Sequence, residues 1–158
     1  MEEHTLELRV RYAEVDRQDV VYHAHYLPWF DLGRTEYLRA CGACYAELES
    51  QGLLLMVTRA EVRYLSPARL DDRLLLRTRP AWRTRSRLCF EYQVLRQPEG
   101  RLLATGSTEL CCVVRGGKPR SLPPEVEAAL AHLPLGRPEK PLAPDPQGEP
   151  GDRSASRE

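Results

Sequence analysis

The stretch Arg11-Tyr-Ala-Glu-Val-Asp-Arg-Gln-Asp-Val-Val-Tyr-His-Ala-His-Tyr-Leu-Pro-Trp-Phe30 decides how the chain is read. An alternating segment ends there, a polar loop follows, and apolar residues then return at helical spacing. Two acids (Asp16 and Asp19), two histidines (His23 and His25) and several tyrosines crowd into the junction. Side chains placed where a strand hands over to a helix are held by rigid elements on both sides. The start of the helix also offers unpaired backbone N–H groups to developing negative charge. Chemistry is expected here.

On the N-terminal side, Thr5 to Tyr12 alternates, with Leu6, Leu8, Val10 and Tyr12 on one face and Glu7, Arg9 and Arg11 on the other. That is the pattern of a half-buried strand. On the C-terminal side, Phe30, Gly33, Tyr37, Cys41, Cys44 and Leu48 recur at three- and four-residue steps, which predicts one helix from about Ala24 to Gln51, stopped by Gly52. Four long strands follow at Leu53–Leu65, Arg73–Thr84, Ser86–Gln97 and Arg101–Arg115, with a hairpin turn at Pro98-Glu-Gly100. A short helix over Pro123–His132 closes the pattern. The order predicts an α+β fold: a curved five-stranded antiparallel sheet wrapped around one long central helix. This domain spans residues 1–133, and residues 134–158, rich in proline, glycine and charge, are expected to form a flexible tail.

The chain has 158 residues, enough for one domain with a sizeable core, and 23 basic residues balance 23 acidic ones. A neutral balance gives no electrostatic reason to expect nucleic acid, and no basic run marks a membrane surface. The acidic start carries no signal-peptide pattern, no stretch reaches the roughly 20 apolar residues of a membrane span, and five cysteines read as free thiols. A cytoplasmic protein without stable membrane insertion is expected. Cys41-Gly-Ala-Cys44 has the form of a redox or metal motif. It lies on the apolar helix stripe without a second cysteine pair at zinc-site spacing, so it is read as core, and no metal or cofactor is expected.

The segment Val-Arg-Tyr-x-x-x-Asp-x-x-x-Val-Val-Tyr-His-Ala-x-Tyr resembles the corresponding junction of hotdog-fold acyl-CoA thioesterases. The likeness is greatest to the branch related to 4-hydroxybenzoyl-CoA thioesterase and to the thioesterase encoded beside the Tol-Pal genes. It continues through Trp29-Phe-Asp-Leu-Gly-Arg-Thr-Glu-Tyr37 and Val62-Arg-Tyr-Leu-Ser-Pro-Ala68 and covers about residues 5 to 132. The resemblance implies hydrolysis of an acyl-CoA thioester by a homodimer or homotetramer, with active sites between subunits. It places the family's catalytic acid on Asp16, its tyrosine on Tyr12 and its histidine on His23, with the oxyanion held by a backbone N–H near His23. Where the family commonly has two glycines, or another small residue and a glycine, this chain has Gln18 and Asp19, and the acid two residues before Asp16 is Glu14.

A carboxylate at position 16 serves either as nucleophile or as base for water. Read without the motif, the same Asp is a turn or cap residue. His23 is assigned to proton transfer or to orienting Asp16, against a solvated loop histidine. Tyr12 either holds the carboxylate or is a core tyrosine with a tied hydroxyl. His25 is read as structural, and Glu14 and Asp19 as loop solvation. Arg83 and Arg85, with Arg87, alternate along one side and are either a solvated sheet edge or contacts for the CoA phosphates. Two other functions compete with hydrolysis: a non-catalytic hotdog dimer holding acyl groups or a membrane-biogenesis partner, and an enoyl-CoA dehydratase, whose Asp/His arrangement is not found here.

Overall fold

A computed structural model gives the fold and describes residues 1–138. The expected tail beyond Pro138 therefore lies outside the described residues. Strands β1 (His4–Arg9), β2 (Leu53–Tyr64), β3 (Arg73–Arg83), β4 (Arg87–Gln97) and β5 (Arg101–Val114) form one sheet in the order β1-β3-β4-β5-β2. Every neighbouring pair is antiparallel. Alternation sets the two faces: Leu74, Leu76, Leu88, Phe90, Tyr92, Val94 and Leu110 all turn inward and are buried.

Helix α1 (Tyr26–Ala40) fills the concave face. Phe30 stacks flat on Tyr92 at 4.3 Å between ring centroids, and Tyr37 meets Phe90 edge-on at 5.4 Å. Two glycines allow this close seating. A Cβ at Gly33 would run into Thr78 and Leu76 of β3, and one at Gly106 into the Phe30 ring and the Glu61 carbonyl. Arg34, also buried, is paired with Asp31 one turn earlier.

The expected single helix from Ala24 to Gln51 is corrected to two. Helix α1 stops at Ala40, and α2 (Tyr45–Ser50) starts afresh after Cys44. Gly42 takes φ +88°, while Gly42 N–H donates to Arg39 C=O at 3.0 Å and Ala43 N–H to Leu38 C=O at 2.9 Å. This pair of bonds, with Ala43 and Leu38 both buried, is a Schellman stop. Cys41 and Cys44 consequently flank a turn, partly exposed, instead of lying on one continuous stripe.

The closing helix α3 spans Pro124–Ala129. After it, Gly136 N–H donates to Arg83 C=O at 2.9 Å, and Arg137 lies over the Trp82 ring while pairing with Glu109 at 2.8 Å. Residues just past the expected boundary at 133 thus run beside the end of β3. The sheet's two edges are β1 and β2. Strand β2 keeps one backbone edge without a neighbouring strand among the described residues and carries Met56 and Val57 half exposed.

Candidate active site

The junction folds into a narrow hairpin. Strand β1 ends at Arg9, and Tyr12–Glu14 make a 3-10 turn. Val15 and Val21 then pair antiparallel, with Asp16 N–H donating to Val20 C=O at 2.9 Å and Tyr22 N–H to Glu14 C=O at 2.9 Å. Val21 N–H reaches Ala68 C=O at 2.8 Å and straps the hairpin to the segment after β2. Glu14 is the hidden clamp beneath it, only 3% exposed. Its carboxylate accepts from Arg11 N–H at 2.8 Å, from Arg11 Nη2 at 2.9 Å and from Trp29 Nε1 at 3.1 Å. Burial alone would raise the Glu14 carboxyl, but the hydrogen bonds from the Arg11 backbone, the Arg11 side chain and Trp29 together hold it below its ordinary value. Loop solvation is therefore the wrong reading of Glu14: an ionised group is buried because donors surround it.

Asp16 lies half-buried at the turn of the hairpin. One carboxylate oxygen accepts from Gln18 N–H at 2.7 Å, an Asx turn that holds the side chain in place. Asp16 is thus a turn residue as well as the candidate acid. Asp19 takes φ +59°, the left-handed conformation that glycine adopts without cost and that aspartate tolerates better than most residues. The loop closes here with Gln18 and Asp19, without a glycine.

A 3-10 turn, His23–His25, leads into α1. Tyr22 C=O accepts from His25 N–H at 2.9 Å, and His23 C=O accepts from the Tyr64 hydroxyl at 2.8 Å. In a trans peptide the N–H points opposite to the C=O. Fixing these two carbonyls therefore fixes the N–H groups of His23 and Ala24, which point away from His25 N–H and from the Tyr64 hydroxyl respectively. Both belong to the first turn of a helical segment, where N–H groups have no carbonyl to meet. Aromatic rings surround this turn: Tyr22 lies 4.4 Å from His23 and Tyr64 lies 5.2 Å from Tyr26, which in turn is 5.0 Å from Trp29. Tyr22 and Tyr64 remain about half exposed.

The structure thus places Asp16 in a strapped hairpin that leads directly into the helix-opening turn. His23 is exposed within it, its ring set against Tyr22 and Tyr64. Tyr12 is 85% exposed, so the core-tyrosine reading is corrected: the strand stops short of it and the 3-10 turn rotates it outward. Among the described residues neither Tyr12 nor His23 hydrogen-bonds to the Asp16 carboxylate, whose one donor is Gln18 N–H. Arg83 and Arg85 are not nearby. They stand at the opposite end of the strands, beyond Arg87, whereas the hairpin is strapped to a segment bonded to Leu103 next to Leu95. Eight residues of β4 separate Leu95 from Arg87, about 26 Å of strand.

At that far end Arg85 Nε donates to Ser121 Oγ at 2.9 Å, and an open cleft of about 300 Å³ is lined by Arg85, Ser86, Pro119, Arg120 and Ser121. Among the described residues Arg85, Arg87, Arg115, Lys118 and Arg120 form no ion pair. Sequence reading missed Glu14 as a clamp and gave Tyr64 no role, although it lies in the matching segment 62–68. The periodicity of β2 marks Tyr64 only as a strand end, and its contact with His23 spans 41 positions of sequence. Among the described residues no group of His, Cys, Asp or Glu could hold a metal ion, and no helix is long and apolar enough to cross a membrane.

Comparison with known proteins supports the fold and the family. The thioesterase-like superfamily matches residues 10–130. The acyl-CoA thioesterase YbgC of Haemophilus influenzae is 36% identical over 80% of this chain and 93% of its own. A DHNA-CoA thioesterase structure from Staphylococcus aureus superposes with a TM-score of 0.79 at 32% identity, covering 83% of this chain and 90% of that one. The Synechocystis protein Slr0204, a 1,4-dihydroxy-2-naphthoyl-CoA thioesterase, gives a TM-score of 0.78 at 25% identity over 83% and 97% of the two chains.

Proposed function

The chain belongs to the thioesterase-like superfamily, and on that premise we propose that its hairpin site hydrolyses the thioester of an acyl-CoA to the free acid and CoA. The observation that carries this reading is the hairpin itself. It joins a carboxylate held by its own turn to a helical turn whose carbonyls are tied from behind. The thioester carbonyl oxygen is received by the N–H groups of His23 and Ala24, which stabilise it as it becomes anionic. As a base, Asp16 takes a proton from water while the water oxygen bonds to the carbonyl carbon. Collapse of the oxyanion breaks the C–S bond, and the proton passes to the departing thiolate. As a nucleophile, Asp16 instead attacks the carbonyl carbon and expels the CoA thiolate to form a mixed anhydride. Water then cleaves the anhydride to the free acid and the Asp16 carboxylate, the released proton going to the thiolate. Exposed His23 exchanges protons at the mouth of the site, and Tyr12, on its rim, contacts the substrate.

Two copies of the chain pair through β2. This strand is 12 residues long, lies at the sheet edge and bears the half-exposed Met56 and Val57, features that invite another strand. Antiparallel pairing of two β2 strands reverses one sheet against the other, so the cationic end of one copy approaches the Asp16 end of its mate. The CoA phosphates then lie against Arg83 and Arg85 of the partner subunit, with Arg120 and Ser121 lining the same cleft. The free thiols among the described residues suit a cytoplasmic enzyme.

The test is thiol release from aliphatic and aromatic acyl-CoA esters, with the wild type beside Asp16→Asn. The substitution is expected to leave the fold intact and lower kcat by about 10³-fold. Wild-type turnover in Asp16→Asn removes the carboxylate from the mechanism. Failure of the wild-type dimer to cleave any ester favours a non-catalytic acyl binder.

A further inference from the structure

The peptide joining His23 to Ala24 is tied to a different element from its neighbour. The preceding peptide, Tyr22–His23, has its carbonyl bonded within the turn by His25 N–H. The His23 carbonyl instead accepts at 2.8 Å from the hydroxyl of Tyr64, the last residue of β2. Tyr64 is fixed in turn by its ring, which meets Tyr26 edge-on at 5.2 Å and His23 at 6.5 Å. A donor on a peptide carbonyl does two things to the N–H at the other end of the same unit. It fixes the direction of that N–H, because the peptide is planar, and it polarises the amide so that the N–H becomes a stronger donor.

We propose that Tyr64 is a positioning residue for thioester hydrolysis: its hydroxyl holds the His23–Ala24 peptide so that Ala24 N–H is aimed at, and strengthened toward, the oxyanion. This rests on the reading of the helix-opening turn as the place where the thioester oxygen is received. Tyr64 touches no reacting atom. Its effect passes through one peptide group, and because it belongs to the edge strand, the geometry of that edge reaches the reaction centre through a single hydrogen bond.

The experiment compares Tyr64→Phe with wild type, using kinetics on an acyl-CoA ester and the Ala24 amide resonance of ¹⁵N-labelled protein. Tyr64→Phe keeps the ring and removes only the hydroxyl. The expected result is a fall in kcat of about tenfold, less than the loss of a whole oxyanion donor, with KM within about twofold. The Ala24 amide resonance shifts even in the absence of substrate. Tyr26→Phe removes a neighbouring hydroxyl, one that accepts from Ala68 N–H at 3.4 Å, and serves as the comparison for general loosening of the aromatic group. An equal loss of kcat in both variants overturns the proposal, as does an unmoved Ala24 resonance or a kcat for Tyr64→Phe within twofold of wild type. Asp16→Asn run in parallel separates this outcome from failure of the underlying reading. If Asp16→Asn keeps full turnover the assignment of the acid falls, while a tenfold loss of kcat in Tyr64→Phe with a shifted Ala24 resonance still supports the role of Tyr64 at the helix-opening turn.

Discussion

The two ends of the sheet are built on opposite plans. At the hairpin end each polar group that matters is tied to another: Glu14 to Arg11 and Trp29, Asp16 to Gln18, and His23 C=O to Tyr64. At the far end Arg85, Arg87, Arg115, Lys118 and Arg120 have no carboxylate partner among the described residues, and Arg85 and Arg120 line an open cleft. A reaction centre needs donors fixed before charge develops, because reorganising them during the reaction costs the stabilisation they supply. A phosphate site needs positive charge that solvent can reach, and loose arginines do that well. On the proposed reading the tied end suits chemistry and the cationic end suits a polyanion, about 26 Å away along one chain.

The sharpest way to break this comparison is to mix subunits. Asp16→Asn lacks the acid, and the double variant Arg85→Gln/Arg120→Gln lacks the far-end cations. The double variant alone is expected to raise KM for CoA esters about tenfold, and much less for a pantetheine ester without the nucleotide. If each site takes its acid from one copy and its cations from the other, a mixed dimer contains one site with both defects and one with neither. About half of wild-type turnover at low substrate is then expected, against roughly 10³-fold loss in the Asp16→Asn homodimer. No recovery above the double variant's own rate would mean that both ends serve a site within one chain, or that the far end serves none.

The hairpin's plan is tested next at Asp19. Asp19→Gly should keep activity and stability, because φ +59° suits glycine. Asp19→Val places a β-branched residue in the left-handed region and should cost about 1–2 kcal/mol, seen as a lower midpoint in urea. Equal stability of the valine variant would show that the loop does not depend on that conformation.

The smallest effect concerns pH. Glu14 has its folded-state carboxyl held below the ordinary value of 4.5, so it contributes stability that is present above that value and is lost as pH falls through the lowered one. Glu14→Gln removes the titration. Its urea midpoint should therefore change less between pH 5 and about pH 3 than the wild type's does. Parallel pH profiles would show that the clamp carries no net charge coupling.

Much of this molecule was readable before any coordinates. The strands at Arg73, Arg87 and Arg101 begin within a residue of their expected starts, because alternation and flanking turn residues are local signals. The helix break was also written locally, as Gly42 at the position where a Schellman stop needs it, but the apolar spacing through Leu48 masked it. Glu14 was misread for a different reason. A carboxylate between Ala13 and Val15 looks solvated until Trp29, fifteen residues on, is seen to donate to it.

The sequence by itself determined the order of the strands, the central helix against the sheet and the family, and it marked the junction around Asp16 as the place to look. Periodicity, turn chemistry and motif spacing are properties of near neighbours, and a chain displays them unfolded. Only the tertiary structure decided that Tyr64 reaches His23, that Tyr12 faces solvent, and that Arg83 and Arg85 stand at the far end of the strands. Those facts depend on strand register and on how α1 seats against Gly33 and Gly106, and packing between distant residues sets both.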